Sequence, residues 1–277
     1  MLATFMRSQI PSEIVKVLNY IERGILSKFN EDDIQLFYGD YRRRAELLKD
    51  VVHLIPKNAM ILDAGSSPGF NSLALKMLGY DVISVDINPE PYKPLLERLG
   101  IKVIKVDLEN ESIPLNDESV DCVVFTEVLE HLHPFKITFT LSEINRTLKM
   151  RGYIYLTTPN ICSIGKRVNC LFGRNPLGKM HVREYAIKEV CDMLNAHGFK
   201  PIREEFSLSY NKTPHDAKGK DYKGNLLKMT LKYPTKENIF HLLTLPLVTM
   251  MPSLRATIKI IGLKERSVRP HITYRRF

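Results

Sequence analysis

The stretch "ILDAGSSPGFNSLALKMLGYDVISVD", residues 61–86, decides which fold the chain can adopt. A short apolar run ends in a turn with two glycines. A helical pattern follows, ends at Gly79 and leads directly into a second apolar run. Glycine just after the last helical turn is a common stop signal. The order strand, turn, helix, strand is that of a βαβ unit, whose two strands lie parallel.

The same alternation continues along the chain on both sides of this unit. Apolar strand patterns occupy residues 59–65, 80–86, 101–107, 120–126, 152–159, 199–210 and 255–264. Helical patterns occupy residues 12–27, 32–54, 70–79, 90–100, 135–149, 183–198 and 238–251. Repeated βαβ units predict an α/β fold, a Rossmann-like, mostly parallel sheet with helices on both faces. Such sheets bind ligands at the carboxyl ends of their strands.

Composition fits an ordinary globular protein, but the charge is unevenly spread. The chain has 277 residues, of which 44% are hydrophobic and 26% charged, and a net charge of +9. Residues 211–277 hold 14 Lys and Arg against 4 Asp and Glu, whereas residues 1–210 are nearly neutral. This asymmetry favours an anionic partner for 211–277, either RNA or anionic lipid headgroups. A solvated basic surface explains the same charge.

Several classes of protein are disfavoured by the sequence. The four cysteines show no C-x-x-C spacing, which favours reduced thiols in an intracellular protein. The N-terminus lacks the pattern of a secretory signal, and no apolar run reaches the roughly 18–20 residues that span a bilayer. We therefore expect a cytoplasmic protein without a transmembrane segment. The short apolar helix at 238–251 leaves a peripheral membrane location open.

The turn at residues 63–69, "DAGSSPG", carries the first functional signal. A glycine-rich turn between strand and helix lets the backbone approach a ligand and directs a helix N-terminus toward it. It lacks the G-x-G-x-x-G spacing of dinucleotide-binding proteins. Asp86 ends the next strand, where a carboxylate accepts hydrogen bonds from a ribose diol. Asp107 ends the third strand, where it can meet an adenine amino group.

At these motifs the chain resembles the class I S-adenosylmethionine-dependent methyltransferases. "ILDAGSSPGF" is similar to their first motif, "VISVDINPE" to their second, and "VDLENESIPLNDESVDCVVFTEVLEHL" to the segment that follows. The resemblance covers roughly residues 40–210 together with the strand at 255–264. It implies a seven-stranded sheet whose last strand runs antiparallel. One departure is Ser67, because the family usually has glycine at that position.

The resemblance implies a role for each residue of the cofactor site. Gly65, Ser67 and Gly69 would line the methionine end of S-adenosylmethionine, and Asp63 would contact its amino group or brace the turn. Asp86 would hold the ribose, Asp107 and Leu108 the adenine, and Thr126 would lie beneath the sulfonium. Ser66 and Ile87 flank these positions and are assigned to the same site. In relatives the region of Arg42, Arg43 and Arg44 folds over the cofactor, but we expect at least two of these arginines to face solvent.

The stretch "TEVLEHL", residues 126–132, raises the question of a metal. On an α-helix Glu127, Glu130 and His131 would share one face, either solvated or part of a metal site. The chain here resembles the ubiquinone-biosynthesis O-methyltransferases and the small-RNA 2′-O-methyltransferases. That resemblance implies a divalent metal, such as Mg²⁺, Mn²⁺, Fe²⁺ or Co²⁺, on these three residues and His181. Without a metal, His131 and Glu127 would serve as the catalytic residues, with His131 as general base.

We expect one methyltransferase domain across residues 1–277. It divides into an N-terminal helical cap (1–57), a cofactor-binding core (58–210), an insertion (211–254), and the last strand with a basic tail (255–277). The predicted function is O-methylation of a small hydroxylated molecule from S-adenosylmethionine. Two alternatives stay open: RNA ribose 2′-O-methylation, and a non-catalytic protein that binds the cofactor.

Overall fold

The structure, a computed structural model, describes residues 10–207 and 236–268. Within these ranges one sheet contains seven strands in the order β3-β2-β1-β4-β5-β7-β6. The strands are β1 (Met60–Ala64), β2 (Asp81–Asp86), β3 (Lys102–Lys105), β4 (Val120–Thr126), β5 (Leu148–Pro159), β6 (Phe199–Ser207) and β7 (Thr257–Lys264). Strands β1 to β5 pair in parallel, whereas β7 is antiparallel to both β5 and β6. The predicted fold class, including the antiparallel last strand, is confirmed.

Helices precede, connect and follow these strands. They are α1 (Ser12–Tyr20), α2 (Glu31–Gly39), α3 (Tyr41–Leu54), α4 (Phe70–Met77), α5 (Lys93–Arg98), α6 (Ile137–Thr147), α7 (Ile164–Leu171), α8 (Ile187–Ala196) and α9 (Lys236–Met250). The α1 helix continues into a π-helical turn, Ile21–Ile25, and a 3₁₀ turn, Leu26–Lys28. A 3₁₀ turn also spans Leu129–His131, and another spans Pro252–Leu254.

One predicted helix was wrong in extent. Residues 32–54 form two helices rather than one, with the break at Asp40, where φ is −100° and ψ is 2°. The side chain of Asn30 caps α2 by accepting a hydrogen bond from the Asp33 N–H at 2.8 Å. Gly39 has low helix propensity, and Asp40 tends to pair with nearby backbone or side chains, so the second helix starts afresh.

The hydrophobic core forms two clusters, one on each face of the sheet. Because side chains alternate along a strand, Ile61 lies in one cluster and its neighbour Leu62 in the other. The first cluster includes side chains of α1, α3 and α4, and the second includes side chains of α6 and α8. Burial on both faces explains why the central strands read as nearly continuous apolar runs.

The predicted insertion at 211–254 lies largely outside the described residues. Its apolar helix is present as α9, which begins at Lys236 and contains Pro246. Val248 of α9 packs with Leu254 and with the partly buried Ile164 of α7. Among the described residues, no helix is both long and apolar enough to cross a membrane. The predicted division of residues 1–277 into four parts stays a prediction.

Lys264, the last residue of β7, directs its side chain into the protein. Its side chain is buried, and Nζ donates to the carbonyls of Asn145 at 2.8 Å and Leu148 at 2.7 Å. A third contact, at 3.3 Å, reaches the carboxylate of Glu118. A buried ammonium is tolerated only where its hydrogen bonds are satisfied, as they are here. Lys264 thus ties the last strand to the end of α6 and the start of β5.

We predict that Lys264→Met lowers the free energy of unfolding by about 2–4 kcal/mol, because the two carbonyls lose their buried partner. Urea denaturation followed by circular dichroism measures the change. Lys200→Met is the matched control, since Lys200 is exposed and meets Glu265 only at 3.5 Å. The control should change stability by no more than about 0.5 kcal/mol. Equal effects of the two substitutions would contradict the anchoring role of Lys264.

Candidate active site

The turn after β1 requires glycine at two positions. Gly65 and Gly69 have φ angles of +75° and +87°, in the left-handed region that favours glycine. A Cβ on Gly65 would lie 2.3 Å from Cγ2 of Val128, and one on Gly69 would lie 2.9 Å from Cδ1 of Leu96. The turn therefore passes directly under Val128 at the end of β4 and opens α4 at Phe70.

Asp86 is fixed at the end of β2 by two backbone N–H groups. Ser67 donates to one carboxylate oxygen and Asn88 to the other, both at 2.9 Å. Each oxygen has a second lone pair left to accept a further hydrogen bond. The glycine turn and Asp86 are thereby joined, because the N–H of Ser67 belongs to the turn. This arrangement suits the predicted ribose contact.

The predicted adenine residues differ in their surroundings. The carboxylate of Asp107 accepts from the N–H of Glu109 at 2.9 Å and from the Asn110 amide at 2.8 Å, so it stabilises its own turn. Leu108 is buried in the second core cluster, whereas Ile87 is 61% exposed. Asp107 therefore stabilises the turn that follows its strand, as aspartates at this position commonly do. Its predicted contact with adenine stays a prediction.

Asp63 is buried inside the turn and braces it. The Ser72 hydroxyl donates to its carboxylate at 2.6 Å, which ties β1 to α4. Burial raises the pKa of Asp63 to about 6, although the hydrogen bond from Ser72 lowers it. Ser66 is also turned inward, with its hydroxyl 2.6 Å from that of Ser84. The side chains of Asp63 and Ser66 thus hold the turn together from within.

Thr126, at the end of β4, belongs to a polar chain that reaches the N-terminal helices. Its hydroxyl accepts from the Asn71 amide at 3.2 Å, and Asn71 in turn accepts from Arg44 at 3.1 Å. Arg44 is buried and lies over the rings of Phe37 and Phe70. Asn71, which the sequence analysis did not single out, therefore connects the predicted sulfonium position to α3.

The expectation that at least two of the three arginines face solvent was wrong. Arg44 is only 5% exposed. The side chain of Arg43 is 13% exposed and pairs with both Asp40 and Glu127, the latter at 2.5 Å. Only Arg42, which pairs with Glu46 at 3.2 Å, lies on the more open side of α3. A run of three arginines does not by itself reveal which of them are buried or pair with carboxylates.

The stretch 126–132 does not form the α-helix that would align its acidic and imidazole groups. Glu127 has a φ of +56°, and only Leu129–His131 are helical, as a 3₁₀ turn. Three contacts hold Glu127 in this costly conformation: its N–H donates to the Thr157 carbonyl, and its carboxylate accepts from Thr157 and from Arg43. Its side chain is thereby directed to Arg43 and Thr157.

Three of the four predicted metal ligands nevertheless come together. Glu130, His131 and His181 each offer one ligand atom, and these atoms lie within 4.8 Å of one another. The two imidazole rings stand at 88° with centroids 5.0 Å apart. Glu127 is not part of this group, and its carboxylate is occupied as described above. One carboxylate and two imidazoles are a donor set that divalent transition metals accept.

Glu130 holds the group together through both its backbone and its side chain. Its carbonyl accepts from the N–H groups of Val182 and Arg183, which brings His181 to the end of β4. Its carboxylate is buried and accepts from the Thr158 hydroxyl at 3.0 Å. Burial raises the pKa of Glu130, and the nearby charge of Glu127 raises it further. A cation at this position would offset both effects.

Both imidazoles are oriented through Nδ1. His131 Nδ1 lies 3.0 Å from the carbonyl of Met180, and a carbonyl only accepts, so Nδ1 carries the proton. His181 Nδ1 lies 2.7 Å from the carboxylate of Glu184. Each ring then presents an unprotonated Nε2. His133, by contrast, is exposed and contacts Glu109 at 3.1 Å, away from the group.

A small pocket lies beside Thr126 and Glu127 at the end of β4. Its walls include Arg43, Asn71, Thr126, Glu127 and Thr157. The pocket thus lies between the polar chain that ends at Thr126 and the Arg43–Glu127 pair. It opens at the carboxyl edge of the sheet, where α/β proteins bind ligands.

Part of the chain is similar to known methyltransferases. Residues 62–156 match the family described as "Methyltransferase domain". A probable S-adenosylmethionine-dependent methyltransferase of Mycolicibacterium smegmatis is 28% identical over 144 residues, which cover 50% of this chain and 51% of that protein. The chain therefore spans about half the length of the curated relatives it matches.

Two solved structures share the fold. A SAM-dependent methyltransferase from Archaeoglobus fulgidus aligns with a TM-score of 0.54 and 20% identity, over 83% of this chain and 99% of that one. A Burkholderia thailandensis N1-methyltransferase, solved with S-adenosylhomocysteine, aligns with a TM-score of 0.51 and 15% identity, over 88% and 90%. The comparisons thus show that residues 62–156 match a methyltransferase domain and that the chain shares the fold of these two structures.

We predict that Asp63→Asn alters the pH dependence of stability. Because the folded-state pKa, about 6, lies above the unfolded value, the wild type loses stability as the pH rises from about 4 to 6. The variant lacks this loss, so its stability relative to the wild type should improve by about 2 kcal/mol between pH 4 and pH 7. Urea denaturation of both proteins at the two pH values measures the difference. If the stabilities of the two proteins change with pH in parallel, the raised pKa of the buried Asp63 carboxyl would be contradicted.

Proposed function

We propose that the chain transfers a methyl group from S-adenosylmethionine to a hydroxyl of a small acceptor, with a divalent metal at Glu130, His131 and His181. The observation that carries the metal part is the convergence of those three ligand atoms within 4.8 Å at the end of β4. The resemblance to the ubiquinone-biosynthesis and small-RNA branches motivates the hydroxyl acceptor.

Two features support the cofactor. The turn from Gly65 to Gly69 has two glycines at positive φ, a conformation typical of turns at which a backbone approaches a ligand closely. Asp86, held by two N–H groups of the chain, keeps lone pairs for a ribose diol. The backbone of the turn and the carboxylate of Asp86 therefore fit a nucleoside that carries a short polar chain. When bound, the cofactor supplies an electrophilic methyl group on sulfur.

The residues of the chain would prepare the acceptor for in-line attack. A hydroxyl is a weak nucleophile until it loses its proton, and a bound cation would lower its pKa. With a cation bound, Nε2 of His131 would be one of its ligands; without one, this nitrogen can take the proton itself, because Met180 occupies Nδ1–H. The side chain of His131 is 42% exposed, so an acceptor can reach it. Thr126 and Asn71 would form the wall facing the methyl group.

Glu127 could take its predicted catalytic and ligand roles only after its carboxylate is released from its present partners. Its carboxylate would have to leave Arg43 and Thr157 in order to join Glu130, His131 and His181. We therefore propose the three-residue set as the resident site. A substrate with two adjacent hydroxyls, such as a catechol or a ribose 2′,3′-diol, fits a cation with open positions.

The partners predicted for residues 211–277, RNA or an anionic membrane surface, stay predictions. The structure describes residues 236–268 of this range, so most of the basic excess lies outside the described residues. In α9, Leu243 is 75% exposed and Met250 is 82% exposed, which suits either a lipophilic acceptor or a lipid surface.

We predict that Asp86→Ala weakens S-adenosylmethionine binding ten- to a hundredfold, because charge-assisted hydrogen bonds contribute about 1.5–3 kcal/mol. Isothermal titration calorimetry with S-adenosylmethionine and S-adenosylhomocysteine measures the loss. Asp81→Ala is the matched control, since Asp81 begins the same strand at its opposite end and pairs with Lys76. Equal binding by the Asp86 variant and the wild type would remove Asp86 from the cofactor site.

We also predict that His131→Ala and His181→Ala abolish Mn²⁺ binding in calorimetric titration, whereas His133→Ala leaves it unchanged. Turnover of catechol, vicinal-diol and short RNA acceptors, with and without Mn²⁺, then assigns the acceptor class. Cofactor binding without metal binding would reject the metal and leave His131 as the base. Cofactor binding without any turnover would favour the non-catalytic alternative, and salt-sensitive turnover of RNA would favour 2′-O-methylation.

A further inference from the structure

Glu184 lies directly behind His181 and was not singled out from the sequence. Its carboxylate is buried, with a side-chain exposure of 0%. One oxygen, Oε1, lies 2.7 Å from His181 Nδ1, 2.5 Å from Lys166 Nζ and 3.0 Å from the N–H of Gly178. All three of these groups serve as donors to the same atom.

These contacts keep Glu184 ionised. Lys166 Nζ pairs with Oε1 at 2.5 Å, and the N–H of Gly178 donates to the same oxygen at 3.0 Å. An ionised carboxylate only accepts hydrogen bonds, so the proton of the contact at 2.7 Å belongs to Nδ1 of His181. The ring is thereby fixed as the Nδ1–H tautomer, with Nε2 free.

The ring of His181 also lies against Gly178. A Cβ on Gly178 would lie 2.5 Å from Cε1 and Nδ1 of His181, so only glycine leaves space for the imidazole here. Glu184 on one side and Gly178 on the other therefore fix both the tautomer and the plane of the ring. Lys166 lies in the first turn of α7 and donates to Glu184, so it fixes the position of that carboxylate.

The second carboxylate oxygen of Glu184 has an unusual position. Oε2 is buried and has no hydrogen-bond partner among the described residues. An unsatisfied buried carboxylate oxygen is costly and therefore calls for an explanation. Ligating histidines characteristically donate their other N–H to a carboxylate, which fixes the ring and makes the ligating nitrogen more basic.

We propose that Glu184, held by Lys166, is the positioning residue that presents Nε2 of His181 to the divalent cation. This inference rests on the proposed metal site. It extends that site to a chain of contacts, here called the relay, that runs from Lys166 on α7 through Glu184 and His181 to the cation. Glu184 does not touch the reacting atoms. It acts on them through the basicity and the orientation of His181.

The first test uses the metal-free wild-type protein. Long-range ¹H–¹⁵N correlation spectra report which imidazole nitrogen carries the proton, and we expect Nδ1–H for the neutral ring of His181. His197, whose Nδ1 lies 2.7 Å from the carbonyl of Met193, serves as an internal reference. Detection of Nε2–H at His181 would overturn the proposal, whether or not the protein binds a metal.

The second test uses Glu184→Gln, which keeps the shape of the side chain and removes its charge. We expect Mn²⁺ affinity, measured by calorimetry, to fall ten- to a hundredfold. Glu189→Gln is the matched control, because Glu189 pairs with Arg183 close by but lies outside the relay. Glu184→Asp should recover part of the affinity.

The outcomes separate this proposal from the metal site itself. Unchanged Mn²⁺ affinity in Glu184→Gln, with binding intact in the wild type, would overturn the positioning role. If the wild type binds no Mn²⁺ at all, the metal site fails. The tautomer of His181 then still decides whether Glu184 orients the ring, because that spectrum needs no metal.

Discussion

The burial of one carboxylate at the end of β4 constrains the whole candidate site. Glu130 is only 1% exposed, and its charge lies near that of Glu127. Burying an acidic group next to another is costly unless protons, cations or hydrogen bonds compensate. The chain offers the Thr158 hydroxyl as a donor, and it directs Glu127 away to Arg43. The position of α3, which carries Arg43, belongs to this compensation.

The same constraint links distant parts of the chain. The N–H groups of Val182 and Arg183 bind the carbonyl of Glu130, so the segment between β5 and α8 is fixed to the end of β4. Arg43 binds Glu127 from the opposite side and fixes α3 to the same strand end. Residues that are far apart in sequence thus converge where the parallel strands end, the place at which open α/β sheets form their ligand sites.

Much of the fold was predictable because it depends on local signals. Glycine at the ends of helices and apolar runs of strand length placed the seven strands to within a few residues. The break at Asp40 was missed, since periodicity continues across it. The site was predictable only in part. The glycine turn and Asp86 follow from spacing, but the 3₁₀ turn and the positive φ of Glu127 arise from contacts with Thr157 and Arg43 that no local pattern records.

Glu184 was missed for a related reason. Its spacing of three residues from His181 was visible in the sequence, but the spacing gains meaning only once Lys166 and Gly178 arrive from other segments. A carboxylate near a histidine is common, whereas one that accepts three hydrogen bonds on a single buried oxygen is a property of the folded chain. Sequence spacing therefore finds candidate ligands more readily than it finds the groups that orient them.

The order of strands in the sheet has a consequence for how the chain assembles. Among the described residues, strand β6 pairs only with β7, which lies between it and β5. During synthesis β6 leaves the ribosome before β7, so it waits for residues 257–264, its partner in the described sheet. The pairing of β6 with β7 that completes this side of the sheet therefore forms late. It also brings together segments more than a hundred residues apart, because Lys264 then reaches Asn145 and Leu148.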